Sequence, residues 1–219
     1  MTRERGAAAY LVAGLICFVL FFLLGTAVSH RGEPALLLAW EHSLFDNATP
    51  LAWRLTQSCY PMVLIPICVA LLVAAIFLRD WRVRILMSIV SLLISWRAAD
   101  FFQHYFARPR PVDWVVKHEL TFSYPSSHAA IAFGFYGLWA VLFYYSDLPK
   151  PVRLIGATLL GIVALAICWS RLALGAHYLT DLAGGALLGL TAALISVAVV
   201  VAFFGRVAGS GAPEQNRAA

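Results

Sequence analysis

Three short clusters of polar residues interrupt a chain of 219 residues that is otherwise 62% hydrophobic. They run from Gln103 to Pro111, from Tyr124 to His128 and from Ser170 to Asp181. In the third cluster His177 and Asp181 are four residues apart, a spacing that places both on one face of a helix. The carboxylate can then accept a hydrogen bond from one ring nitrogen and leave the other free to attack. This pair therefore has the features of a histidine nucleophile.

Arginines accompany the histidines. Arg108 and Arg110 lie in a segment punctuated by prolines, and Arg171 lies at the end of another predicted helix. Guanidinium groups are planar, permanently charged donors that suit phosphate oxygens. The arginines therefore indicate a phosphate as the target.

The second cluster lies where the fourth predicted helix should begin. The hydroxyls of Ser126 and Ser127, with the first free backbone N–H groups of that helix, can also face an anion. His128 comes from a different helix than His177 and can protonate a leaving oxygen. The pattern predicts covalent phosphoryl transfer through a phosphohistidine, with arginines instead of a metal neutralising the developing charge.

Composition places this chemistry in a membrane. Only 12% of the residues are charged, and the mean hydropathy of +0.81 is too high for an ordinary soluble domain. The net charge is +5, but the basic residues are spread over short segments between apolar runs, which argues against a nucleic-acid partner. The four cysteines show no paired metal spacing, so neither zinc nor a disulfide framework is expected.

Six apolar stretches are long enough, or nearly so, to cross a bilayer core, which takes roughly 20 helical residues. Because lipid offers no partners for unpaired backbone groups, each stretch should be a helix. The predicted fold class is an all-α polytopic bundle of six transmembrane helices. Their limits are Ala8 to Val28, Pro61 to Leu78, Ile85 to Phe102, Ala129 to Tyr145, Leu154 to Trp169 and Leu182 to Phe204.

The distribution of Lys and Arg predicts the orientation. Both termini should be cytoplasmic, and the connections after the first, third and fifth spans should face outward. All three polar clusters then lie on the outward side. The first outward connection, Ser29 to Tyr60, is typical either of one or two short helices on the membrane surface or of a packed loop. Residues 1–204 form the predicted domain, and residues 205–219 are expected to be a disordered cytoplasmic tail.

In this order the clusters resemble the signature of the type 2 phosphatidic acid phosphatase superfamily. That signature is a Lys, six residues and Arg-Pro; then Pro-Ser-Gly-His; then Ser-Arg, five residues, His, three residues and Asp. Arg110-Pro111 matches the end of the first motif, Pro125 to His128 the second, and Ser170 to Asp181 the third in full. With the predicted spans, the resemblance covers most of the chain.

The resemblance implies a role for each matching residue. His177 would be the nucleophile, Asp181 its orienting partner and His128 the general acid. The implied phosphate-binding residues are Arg110, Arg171, Ser126, Ser127, Gln103 and Ser170.

Two positions depart from the signature. Gln103 stands where the family usually has Lys, which leaves the predicted pocket one cation short, although its amide can still donate a hydrogen bond. Arg108, Lys117 and Arg97 are candidates to supply the missing charge. Ser127 replaces a glycine, a milder change because a small residue is retained.

The resemblance implies a metal-independent membrane lipid phosphatase that needs no cofactor. Its substrate would be a lipid phosphate, with undecaprenyl pyrophosphate the best match, at the outer face of a bacterial inner membrane. Three alternatives stay open: a lipid phosphotransferase, a phosphatidylglycerol-phosphate or lipid A phosphatase, and a non-catalytic polyprenyl-phosphate binding or transport protein. The intact set of His128, His177 and Asp181 argues against the last.

Overall fold

The computed structural model describes residues 3–44, 49–112 and 120–204, and its regular structure there is entirely helical. The predicted tail, residues 205–219, and Lys117 lie outside the described residues. A π-helical turn, Ala132–Gly137, joins α6 to α7. The helices are α1 Arg3–Arg31, α2 Ala35–His42, α3 Thr49–Thr56, α4 Pro61–Phe77, α5 Arg82–Phe106, α6 Ser127–Ile131, α7 Leu138–Tyr144, α8 Lys150–Ala173 and α9 Leu179–Phe204.

Among the residues that the structure describes, five helical stretches are long and apolar enough to cross a membrane. A sixth candidate is α4 together with the stretch Pro50–Cys59, which meets it at a bend of 46°. Each predicted apolar run lies inside one described helical stretch, with at most one residue beyond its end, so the all-α membrane fold is confirmed, whereas the count of six spans stays a prediction. The five stretches are Arg5–Arg31, Arg79–Phe106, Ser127–Tyr144, Lys150–Ala173 and Leu179–Phe204.

The connection between α1 and α4, which is predicted to face outward, contains the two short helices α2 and α3, and both pack on the bundle. Ala52 of α3 lies in an apolar cluster with Ala173 and Leu174 at the end of α8. Glu41 of α2 is buried, and its carboxylate accepts the backbone N–H of Leu179 at 2.7 Å. The connection therefore covers the end of the bundle at which α8 ends and α9 begins. Its location on a membrane surface stays a prediction.

Helix α9 packs against α1, α5 and α6 along most of its length, and small residues permit these contacts. A Cβ atom added at Gly185 would lie 2.4 Å from the carbonyl oxygen of Ser126. One added at Gly189 would lie 2.3 Å from the carbonyl oxygen of Ala130. Helices in lipid associate through such close backbone contact. The glycines of α9 thus set how closely the second polar cluster approaches the third.

We expect Gly185→Ala to force the start of α6 away from α9, because the new methyl group meets backbone that cannot rotate aside. The free energy of unfolding should fall by about 1–3 kcal/mol, measured as thermal denaturation in detergent. Gly161→Ala is the matched control, since a Cβ atom at that position of α8 meets nothing within 4 Å. It should leave stability unchanged or raise it slightly. Equal destabilisation by the two variants would contradict this packing.

Candidate active site

The structure brings the three polar clusters together at one end of the bundle, and backbone hydrogen bonds connect them. The N–H of Ser123 donates to the carbonyl of Arg108 at 2.8 Å, which ties the second cluster to the first. The N–H of Ser126 donates to the carbonyl of Asp181 at 3.1 Å, which ties the second to the third. Side chains from separate helices therefore face one another within a single site.

The end of α5 directs its two following arginines to different partners. Ala107 adopts a left-handed conformation with φ 47°, which ends the helix. Arg110 then places Nη1 at 3.1 Å from Nε2 of His177 and donates to the carbonyl of Ala176 at 2.9 Å. Its other nitrogens donate to the carbonyl and hydroxyl of Thr121 at 2.7 and 2.8 Å. Arg110 is thus fixed beside the atom predicted to attack phosphorus.

His177 is buried, and its two ring nitrogens face different groups. Because Nε2 accepts a hydrogen bond from Arg110, the neutral ring carries its proton on Nδ1. Nδ1 lies 3.6 Å from Oδ2 of Asp181, longer than a hydrogen bond, and 3.5 Å from the hydroxyl of Ser123. That hydroxyl donates a short hydrogen bond to Oδ2. Ser123 therefore bridges the predicted pair, a role that sequence reasoning missed.

Asp181 is fully buried, and donors from three elements hold its carboxylate. Arg108 donates to Oδ1 through Nη1 at 2.5 Å, and the backbone N–H of Tyr178 donates to Oδ2 at 3.0 Å. The hydroxyl of Ser123 is the third donor. Arg108, one of the candidates for the missing phosphate-binding cation, is instead paired with this carboxylate.

Two further carboxylates at the site were not indicated by any motif. Glu33, directly after α1, accepts from Nη2 of Arg108 at 2.9 Å. Glu41 accepts from the backbone of Leu179 at the start of α9. The available sequence signal was the presence of acidic residues in the connection after the first span, in a chain that has few charges. It gave no indication of their partners, because those lie more than seventy residues away.

Burial raises the pKa of Glu41 to about 7 from an ordinary value of 4.5, and the nearby carboxylates of Glu33 and Asp181 raise it as well, against the lowering effect of the Leu179 N–H. Folding therefore takes up a proton between these two pH values, and stability should fall as pH rises through that window. We expect Glu41→Gln to lose less thermal stability than the parent protein between about pH 5 and pH 8.

The matched control for Glu41→Gln is Asp147→Asn, because Asp147 is an exposed carboxylate at the other end of the bundle. It should keep the pH dependence of the parent protein. Parallel melting-temperature curves for Glu41→Gln and the parent across this range would contradict the assignment.

His128 lies at the start of α6 and is buried. Neither ring nitrogen has a hydrogen-bond partner of ordinary geometry within the described part of the chain, although the Thr56 backbone is near enough to interact with the ring. The ring packs edge-on against Tyr60, with centroids 5.5 Å apart. It interacts electrostatically with Arg171, His177 and Arg110. The second histidine is therefore at the same site as the first.

Three other predicted phosphate contacts line the same end of the bundle. Arg171 is fully buried and donates to the hydroxyl of Thr56 at 2.8 Å. Ser126 caps α6, because its hydroxyl accepts the N–H of Ala129 at 3.4 Å. Ser127 is half-buried at the first position of the helix. The structure brings these residues to His128, and their contact with phosphate stays a prediction.

Gln103 and Ser170 are engaged with backbone. Gln103 is buried, and its amide donates to the carbonyl of Pro125 at 3.0 Å, which supports the second cluster. The hydroxyl of Ser170 donates to the carbonyl of Ile167 at 2.6 Å, one turn earlier in α8. These contacts give both side chains a structural role, and their predicted role in phosphate binding is untested.

An apolar cavity of about 610 Å³ lies elsewhere, between α4, α5, α7 and α8. Its lining includes Ile67, Leu71, Trp81, Phe135 and Trp139, and none of the predicted site residues. An apolar lining offers no groups for phosphate chemistry. The candidate site for phosphate chemistry is therefore the polar end of the bundle rather than this cavity.

The helices and these contacts define a polytopic membrane protein with a site of histidines and arginines suited to a phosphate. Residues 83–204, more than half of the chain, match the family model of the PAP2 superfamily, and the chain belongs to that superfamily. The matched residues include all three polar clusters. The resemblance inferred from the motifs is confirmed.

Two bacterial proteins are similar to this chain. "Putative undecaprenyl-diphosphatase YbjG" of Escherichia coli K12 is 29% identical over 164 residues, which are 69% of this chain and 78% of that protein. The crystal structure of the first transmembrane PAP2 type phosphatidylglycerolphosphate phosphatase from Bacillus subtilis superimposes with a TM-score of 0.69 at 22% identity, covering 88% of this chain and 95% of that one. The prediction of a membrane phosphatase is supported at the level of class, while substrate and mechanism stay predictions.

Proposed function

We propose that this protein is a membrane lipid phosphatase that hydrolyses a lipid pyrophosphate or phosphomonoester, with undecaprenyl pyrophosphate as the preferred substrate, through a phosphohistidine on His177. The observation that carries the proposal is the contact between Arg110 and Nε2 of His177. In this contact the guanidinium lies beside the nitrogen that we propose attacks phosphorus, while Nδ1 of the same ring faces Ser123 and Asp181.

In the first step, the lone pair of Nε2 of His177 attacks phosphorus, and the bond between phosphorus and the leaving oxygen breaks. Protonated His128 gives its proton to that oxygen. Arg110 and Arg171 neutralise the charge on the equatorial oxygens. Asp181 stabilises the positive charge that the ring of His177 gains.

In the second step, water attacks the phosphohistidine, and the bond between nitrogen and phosphorus breaks. Neutral His128 takes a proton from the water, which restores its starting state, and inorganic phosphate leaves. Two histidines with opposite roles and the arginines complete the cycle without a metal in this proposal.

The preference for undecaprenyl pyrophosphate is supported by the similarity to the Escherichia coli relative. A site at one end of a membrane bundle suits a substrate whose tail lies in lipid and whose phosphate lies at the interface. We further propose that residues 1–204 form one functional unit in a bacterial inner membrane, with both termini cytoplasmic and the site facing outward. The distribution of Lys and Arg supports this orientation.

The test is phosphate release by the purified full-length protein from undecaprenyl pyrophosphate, phosphatidylglycerol phosphate and phosphatidic acid, with EDTA present. We expect the pyrophosphate to be hydrolysed fastest and orthovanadate to inhibit, because vanadate resembles the five-coordinate phosphorus. Insensitivity to vanadate would contradict the site. Product formation that requires a second lipid as acceptor would indicate a phosphotransferase. Tight binding of a lipid phosphate without its hydrolysis would indicate a non-catalytic binding protein.

His128→Ala distinguishes the classes of substrate. An alcohol leaving group needs a proton, so release from phosphatidic acid should fall by about 10²-fold or more. A phosphate leaving group needs protonation less, so the loss with undecaprenyl pyrophosphate should be smaller. Equal losses on both substrates would argue against His128 as general acid. Gln103→Lys in the same panel tests whether restoring the usual cation changes the substrate range.

A further inference from the structure

A line of three buried charges runs from the connection after α1 to the carboxylate behind the nucleophile. Glu33 pairs with Nη2 of Arg108 at 2.9 Å, and Nη1 of Arg108 pairs with Asp181 at 2.5 Å. The three side chains are 2%, 3% and 0% exposed, respectively. The ring of Tyr178 covers the guanidinium, with its centroid 4.3 Å from Cζ. Charges shielded from water in this way interact strongly.

Glu33 also holds the first turn of α9. The hydroxyl of Thr180 donates to Oε2 of Glu33 at 2.5 Å and accepts from Arg108 at 2.8 Å. The N–H of Thr180 donates to Oε1 at 3.4 Å. A carboxylate is favoured at a helix N-terminus by the free N–H groups and the helix dipole. Glu33 therefore contacts the residue directly before Asp181 as well as the arginine that binds it.

The net charge of Glu33, Arg108 and Asp181 affects how well His177 can act as a nucleophile. Arg108 alone would cancel the negative charge of Asp181. With Glu33 present, the three groups together keep one net negative charge next to His177. The ring of His177 becomes positive as its bond to phosphorus forms, so a net negative neighbour stabilises the transition state more than the ground state.

We propose that Glu33 is a positioning residue, which acts through Arg108 to keep Asp181 oriented and negatively charged behind His177. The inference rests on the proposed role of His177 as nucleophile. Glu33 lies outside residues 83–204, so the match to the family model does not assign it a role. The segment after the first span thereby becomes part of the reaction machinery.

Glu33→Gln tests the proposal, because it removes the charge but keeps the shape of the side chain. We expect kcat for undecaprenyl pyrophosphate to fall by about 10-fold or more with little change in KM, since the net negative charge behind the nucleophile is lost. Glu33→Asp, which retains the charge, should recover part of that loss. Asp147→Asn removes a carboxylate from an arginine pair at the other end of the bundle and should leave kcat unchanged.

A second readout does not depend on turnover. The titration of His177 is followed by ¹⁵N-histidine NMR of the detergent-solubilised protein, and its resonances are assigned by their loss in His177→Ala. The charged or titratable groups near His177 are Arg110, His128 and Asp181, and all three are retained in Glu33→Gln. Glu41, which hydrogen-bonds to Glu33 and interacts with Asp181, is retained as well, and the titration is repeated in Glu41→Gln with and without the Glu33 change so that the charge of Glu41 is constant. Removing a negative charge destabilises the imidazolium, so the titration midpoint should move to lower pH. When Arg108→Met is already present, adding Glu33→Gln should shift the titration midpoint of His177 much less.

Each outcome decides the question. An unchanged midpoint and unchanged kcat in Glu33→Gln would overturn the proposal. Lower kcat and higher KM at an unchanged midpoint would show a purely structural role and would also overturn it. A shifted midpoint in a protein that hydrolyses none of the lipids would support the coupling of Glu33 to His177 while refuting the proposed function.

Discussion

Replacing His177 with alanine is expected to lower phosphate release by at least about 10³-fold, because the covalent step loses its nucleophile. The bond to phosphorus forms at Nε2, which the structure places 3.1 Å from Arg110. Neither arginines nor a general acid can replace that atom. Initial rates with undecaprenyl pyrophosphate measure the effect, and a melting curve shows whether the variant is folded.

The matched control for His177→Ala is His104→Ala. His104 lies on the exposed surface near the end of α5, where Nδ1 contacts the carbonyl of Asp100 at 2.9 Å. This variant should retain the parent rate. Added imidazole should restore part of the activity of His177→Ala, because it supplies the missing nucleophile. Full turnover of His177→Ala would refute the phosphohistidine mechanism.

Replacing Arg108 with methionine is expected to lower the free energy of unfolding by about 3–5 kcal/mol. Arg108 lies between two buried carboxylates, and its removal leaves Glu33 and Asp181 without their shared cation. A buried charge without a partner destabilises the folded state more than the loss of a surface contact does. Thermal denaturation in detergent at constant pH measures the change, and activity should fall with it because Asp181 loses a donor.

Two comparison variants separate this effect from a general loss of charge. Arg97→Met breaks the exposed pair with Asp100, in which the side chains are 68% and 47% accessible and 3.8 Å apart, and should cost less than about 1 kcal/mol. Arg108→Met combined with Glu33→Gln should be more stable than Arg108→Met alone, because one unpaired charge has been removed. Additive losses in that double variant would contradict the ion network.

The long helices were predictable because lipid offers no hydrogen-bond partners to the backbone. An apolar run near 20 residues in a bilayer must satisfy its hydrogen bonds internally, so length and hydropathy alone located the spans. The α2 and α3 helices were harder to locate, since their segment is short and mixed in polarity. Their stability comes from contacts such as that between Ala52 and the end of α8, which no local pattern contains.

In the candidate site, too, some residues could be predicted from the sequence and others could not. The motif spacing indicated that His128, His177 and Arg110 belong to one site, and the structure brings them together, while their roles in phosphoryl transfer stay predictions. Ser123 was missed, although it lies two residues before Pro125, because its importance depends on a hydrogen bond to Asp181 across the bundle. Glu33 was missed for the same reason, since it belongs to no motif and its partner Arg108 lies 75 residues away in the sequence.

By itself the sequence determined the membrane class, the long apolar helices and the candidate residues for attacking and binding a phosphate, because these depend on local composition and on the chemistry of individual side chains. Only the tertiary structure decided how the charges pair. It assigned Arg108 to Glu33 and Asp181 rather than to the phosphate pocket, and it placed Ser123 between His177 and its carboxylate. These pairings depend on the distances between helices, and the close packing of α9 through its glycines sets those distances.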